Sequence, residues 1–135
     1  TLEYTFNKDN MLRDYGSFTV HKLTKADLKD KPVVEIRFKN PDKQLNHLAT
    51  YSFIAADGKR YGDYVRFCNN EEYKEFRTRK INLAQDGHGA SLRAKKGIPH
   101  PVPVKLNSFQ IYSSSPARDG KTRSITFDYI RVCDK

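Results

Sequence analysis

Residues 104–112 read Val-Lys-Leu-Asn-Ser-Phe-Gln-Ile-Tyr, and residues 124–133 read Ser-Ile-Thr-Phe-Asp-Tyr-Ile-Arg-Val-Cys. Apolar and polar residues alternate through both runs. Successive side chains of a strand point to opposite faces, so each run predicts a strand with one buried and one solvated side. Residues 113–122 join them with Pro116, the Asp119-Gly120 pair and basic residues, which reads as a loop.

The same period recurs upstream. Leu2 to Phe6 alternates, and so does Ser17 to Leu23. Val33 to Phe38 places Val34, Ile36 and Phe38 on one side and Glu35 and Arg37 on the other. Thr50 to Ile54 is β-branched and aromatic, Asp57-Gly58 marks a tight hairpin, and Tyr61 to Cys68 follows. Tyr73 to Leu83 mixes charge with Phe76, Ile81 and Leu83. Helix signals are thin. Thr24 to Asp30 would make one turn or a short helix, capped by Thr24 and stopped before Pro32, and Asn70 to Phe76 could do the same, neither long enough for an independent helix. About eight strands separated by turns predict an all-β fold, an antiparallel β-sandwich or barrel. Ala84 to Pro103 has no period and carries Gly87, Gly89, Gly97, Pro99, Pro101 and Pro103. It reads as a long surface connection between the sheets, or as a functional loop.

The chain has 135 residues, 25 Lys+Arg against 16 Asp+Glu, and a net charge of +9. That length suits one domain over 1–135, expected to be a module of a longer, secreted or surface protein. It carries 8 Tyr, 8 Phe and no Trp, enough aromatic mass for a core and too much for disorder. No apolar run approaches the roughly 20 residues of a membrane helix. The charge points to an anionic partner without naming one. Cys68 and Cys133 have no metal-ligand spacing. Either they tie a central strand to the last strand as a disulfide, or they are free thiols of the core.

The runs Leu106 to Tyr112 and Ser124 to Val132, with PVVEIRFKN at 32–40 and TYSFIAADGKRYGDYVRF at 50–67, resemble the strands of carbohydrate-binding-module jelly rolls, the galactose-binding-like β-sandwiches. The resemblance covers most of the chain in pattern and is sharp over its final third. It implies a jelly-roll β-sandwich that binds a polysaccharide or glycan without catalysis, beside a catalytic domain on the same chain. It further implies a structural calcium ion, with Glu3 and Asp128 on the strands that would supply its oxygen ligands. Many such modules bind with Trp, which is missing here. Tyr would have to take its place, stacking on sugar C–H groups and adding a hydroxyl.

Alternation sorts the candidate site residues. With Phe109 and Ile111 inward, Gln110 and Tyr112 point out. With Val65 and Phe67 inward, Tyr64 and Arg66 point out. Arg77 and Arg79 decorate the strand before Ile81. Together they would make one face of Tyr, Gln and Arg, suited to an anionic glycan: rings to stack, an amide for hydroxyls, guanidinium forks for carboxylate or sulfate. A solvated outer sheet face has the same composition. Loop cations at Lys59, Arg60, Arg93, Lys95, Lys96, Arg118, Lys121 and Arg123 would form an anion site if the loops converge. Catalysis has little to rest on. His21, His47, His88 and His100 lack metal spacing, and Gly87-His88-Gly89 beside Asp86 offers at most a loop base, with Arg79 or Arg93 to hold a charged substrate. Two other readings fit the composition: a nucleic-acid-binding β domain, and an accessory structural sandwich packing its tyrosine face on a neighbour.

Overall fold

The computed structural model describes residues 2–6, 15–41, 46–69, 71–114 and 123–133. Its strands are β1 Leu2–Phe6, β2 Tyr15–Thr19, β3 Val33–Asn40, β4 Asn46–Ala55, β5 Arg60–Asn69, β6 Tyr73–Asn82, β7 Pro103–Ser114 and β8 Arg123–Cys133. They form two four-stranded sheets, ordered β1-β8-β3-β6 and β2-β7-β4-β5, with every pairing antiparallel. The chain changes sheet at each connection except the β4–β5 hairpin. This is the double-sheet jelly roll, an all-β antiparallel sandwich as the alternation predicts.

The pleat does the sorting. On β4 every second residue is buried: His47, Ala49, Tyr51, Phe53 and Ala55 face the other sheet, while Asn46, Leu48, Thr50, Ser52 and Ile54 face out. Val34, Ile36 and Phe38 of β3 are wholly buried opposite them. Phe38 meets Phe67 and Tyr73 edge-on, with ring centroids 5.2 and 5.9 Å away, so one ring ties β3 to β5 and β6. At the β4–β5 turn Gly58 takes φ +81, and the Asp57 carboxylate accepts hydrogen bonds from Lys59 N at 2.8 Å and the Tyr61 hydroxyl at 2.6 Å.

Several local expectations are corrected. β2 ends at Thr19, because His21–Leu23 tighten into a 3-10 turn that buries Val20 and Leu23. Residues 24–30 form no helix. Their amides find partners on β7 instead, Lys25 N to Leu106 O at 2.8 Å and Leu28 N to Val104 O at 2.7 Å, with Lys25 and Asp30 left-handed. Residues 73–76 belong to β6. Within 84–103 the chain makes a helix, α1 His88–Lys95. Ala90, Leu92, Arg93, Ala94 and Lys95 favour helix, but the cap comes from a distant strand and leaves no local signature.

The cysteines are free. The Asn40 amide, at one end of β3, lies 3.5 Å from Cys68 Sγ, whereas Cys133 pairs in register with Val33 at the other end. Seven residues of strand separate those positions by about 23 Å, which no disulfide spans.

Candidate saccharide-binding groove

The outward row of β4 is the floor of the site. Leu48 lies in register between Arg66 on β5 and Tyr112 on β7, and Thr50 between Tyr64 and Gln110. Directly paired residues of antiparallel strands share a face, so these side chains gather on the outside of the β2-β7-β4-β5 sheet. Asn46, Leu48, Thr50, Tyr64, Arg66 and Tyr112 line an open groove of about 400 Å³ there.

Its aromatic walls are held in place. The Tyr112 hydroxyl donates to Gln110 Oε1 at 3.0 Å, and Gln110 Nε2 donates to Thr19 Oγ1 at 3.3 Å, linking β7 to β2. Tyr64 is exposed on one face and stacks with the other on His88, centroids 5.1 Å apart and planes 19° apart. His88 opens α1, and α1 is fixed by Asp63. That carboxylate points through to the far side of β5 from Tyr64 and accepts from Gly89 N at 2.8 Å and Ala90 N at 3.1 Å. These are helix-end amides that lack an intrahelical acceptor. Gly87 is required by the fit: a Cβ there would collide with the Asp63 carboxylate and the Tyr51 hydroxyl. The buttress His88 reads in sequence as a loop base; nothing local marks it as the support of a tyrosine 24 positions earlier.

Four of the six expected ligand residues, Tyr64, Arg66, Gln110 and Tyr112, thus share one face. Arg77 and Arg79 do not join them. They sit on β6 of the other sheet, in register with Phe38 and Ile36, and so on the inward side of an edge strand. There the Arg77 guanidinium lies 4.2 Å over the Tyr73 ring, and Arg79 Nη2 approaches the Tyr73 hydroxyl at 3.3 Å and Glu71 Oε1 at 3.5 Å. Tyr73 also donates to Glu71, which holds that carboxyl below its ordinary range.

The expected calcium ligands are placed as follows. Glu3 lies on β1 beside Thr126, its side chain outside the described residues. The Asp128 carboxylate is 3.0 Å from Arg37 Nε. A guanidinium at that oxygen opposes a cation, and among the described residues no three His, Cys, Asp or Glu side chains gather into a metal site.

The rest of that outer face is similarly self-satisfied. Glu35 accepts from the Tyr129 hydroxyl at 2.8 Å and from Arg131 Nη2 at 3.2 Å, and Arg37 and Lys39 lie 5.2 and 5.1 Å over the Phe76 ring. His47 is enclosed between the sheets beneath the groove. Its Nδ1 is 2.5 Å from Ser113 Oγ and its Nε2 3.0 Å from Asn40 Oδ1, and burial pushes its pKa down to about 3. Of the loop cations, Arg118 and Lys121 lie outside the described residues, as does the side chain of Arg123.

No protein-family model matches the sequence, and no curated protein matches it. Solved structures do. Chains in the structures of infectious bursal disease virus, Gx and Gt strains, are each 15% identical at a TM-score of 0.54, over 91% and 97% of this chain. PfGH50B is 13% identical at a TM-score of 0.53 over 98% of it. This chain covers only 26% and 28% of the viral chains and 20% of PfGH50B. A family 11 carbohydrate-binding module from Clostridium thermocellum, in complex with a beta-1,3-1,4-mixed-linked tetrasaccharide, aligns over 98% of this chain at 8% identity and a TM-score of 0.36, too low to support an argument. At these identities the likeness is one of fold: an antiparallel β-sandwich.

Proposed function

We propose that this domain binds a saccharide chain in the groove between Tyr64 and Tyr112, as a binding module without catalysis of its own. The observation that carries the reading is the pair of braced tyrosines flanking Leu48 and Thr50 on the outside of one sheet. Sugar rings present C–H faces that stack on aromatic rings, and hydroxyls that Thr50, Gln110 and the tyrosine oxygens match. Both rings are already fixed, by His88 and by the Gln110–Thr19 bridge, so little ordering remains to be done on binding. The groove volume of about 400 Å³ lies in the range of small ligand sites, roughly 300–1,000 Å³. Glycoside cleavage takes a pair of carboxyl groups, whereas the described lining here supplies hydroxyls, an amide, one guanidinium and the buried imidazole of His47, with no carboxyl group. In this reading the partner is an extracellular polysaccharide, and a catalytic domain on the same chain is kept near it.

Affinity electrophoresis in gels holding neutral or acidic polysaccharides tests this. One or more should retard the protein, and Tyr64→Ala and Tyr112→Ala should each weaken that binding about tenfold, the loss expected for one stacked ring. Thr78→Ala, on the opposite sheet, should change nothing. If no polysaccharide retards the wild-type chain, the reading falls.

A further inference from the structure

The groove is chemically lopsided. Arg66 is exposed, and its register partner Leu48 offers it nothing. Among the described residues no carboxylate pairs with its guanidinium. The acids nearest to it in sequence are turned away: Asp63 caps α1 from the far side of β5, and Glu71 is held by Tyr73 and Arg79 at the β6 edge. Other arginines of this fold do have partners. Arg37 is 3.0 Å from Asp128 and Arg131 is 3.2 Å from Glu35. The one bare guanidinium of the groove therefore stands beside its apolar floor, and His47 beneath it is neutral at ordinary pH.

A neutral sugar laid over Arg66 would strip water from a cation and return only hydroxyl hydrogen bonds. A carboxylate or sulfate would return a charge-assisted pair, which the planar fork can make in two parallel bonds. We infer that the groove reads an acidic glycan, with Arg66 binding the carboxylate or sulfate of the sugar unit seated over Leu48 while Tyr64 and Tyr112 stack on the chain. This rests on the groove being the saccharide site. The net charge of +9 assists from a distance, drawing a polyanion to the surface in a salt-dependent way.

The test is calorimetric titration of the whole chain with three probes: an oligouronate, the same oligomer with its carboxyls reduced to alcohols, and a sulfated galactan oligomer. The wild type should bind at least one acidic probe about tenfold or more tighter than the reduced one, and the stronger acidic probe identifies carboxylate or sulfate as the group read. Arg66→Gln should abolish that preference, so that acidic and reduced oligomers bind within about twofold of each other, and should unfold at the wild-type temperature. Arg66→Lys should keep part of the preference, retaining the charge without the fork. Equal binding of acidic and reduced oligomers, unchanged in Arg66→Gln, would overturn the acidic reading and leave the groove standing. Failure of every oligomer, charged or neutral, would overturn both.

Discussion

Lowering the pH from 6.5 towards 3 is expected to remove about 5 kcal/mol of folding stability through His47 alone. The imidazole is wholly buried, stacked on Phe67 with centroids 5.9 Å apart and hydrogen-bonded to Ser113 and Asn40. The Asn40 amide nitrogen already donates to Glu71 O at 2.9 Å, so Asn40 Oδ1 is an acceptor and the imidazole presents Nε2–H to it. No carboxylate is among these partners to favour a second proton, and desolvation holds the pKa at about 3. In the unfolded chain the same group takes its proton near pH 6.5. Between those values the unfolded state binds more protons, so stability is complete above pH 6.5 and declines as pH falls towards 3. The carboxyls of Glu35, Asp57 and Glu71, held low by hydroxyl hydrogen bonds from Tyr129, Tyr61 and Tyr73, lose their contributions in the same direction. They do so only below the ordinary carboxylate range. Urea unfolding at pH 7 and pH 5 separates the two effects. The wild type should be about 2 kcal/mol less stable at pH 5, and His47→Gln should show almost no difference. Equal wild-type stability at the two values would mean that His47 takes its proton in the folded state.

Phe38→Ala should cost about 3–5 kcal/mol, the range for emptying a buried phenylalanine site. Phe38 is wholly buried and packs edge-on against Phe67 and Tyr73, from two strands in two sheets. Neither ring can close the hole without leaving its own strand's position. Phe76→Ala, on the outer face of the same sheet under Arg37 and Lys39, should cost under about 1 kcal/mol. The comparison is read from urea midpoints at constant slope. Similar losses at the two positions would contradict the assignment of the inner and outer faces.

What the sequence reveals and conceals follows from the range of each interaction. Val34, Ile36 and Phe38 inward, Gln110 and Tyr112 outward, and the Asp57-Gly58 turn are all local, and the structure has them so. The grouping of Tyr64, Arg66, Gln110 and Tyr112 also follows from alternation once β5 and β7 flank β4. Alternation does not say which sheet a strand joins, and so Arg77 and Arg79 read as members of a face from which β6 is excluded. Alternation also fails on β6 itself, where a charged edge strand buries little and carries no clean apolar period. Helix α1 is hidden for a different reason. Its cap, Asp63, lies 25 positions before His88, and the glycine that admits it looks like loop. The cysteine pair is decided by β3, whose length holds Cys68 and Cys133 apart, and spacing along the chain does not encode that.

Amide chemical-shift mapping on the full chain, titrated with the saccharide that retards it most, tests the groove most directly. Shifts should cluster on Leu48, Thr50, Tyr64, Arg66 and Tyr112, extend to His88 through its stack on Tyr64, and spare Arg37, Thr78 and Lys80 on the opposite sheet. Shifts centred on the β3–β6 face, with the β4 row unmoved, would contradict the account.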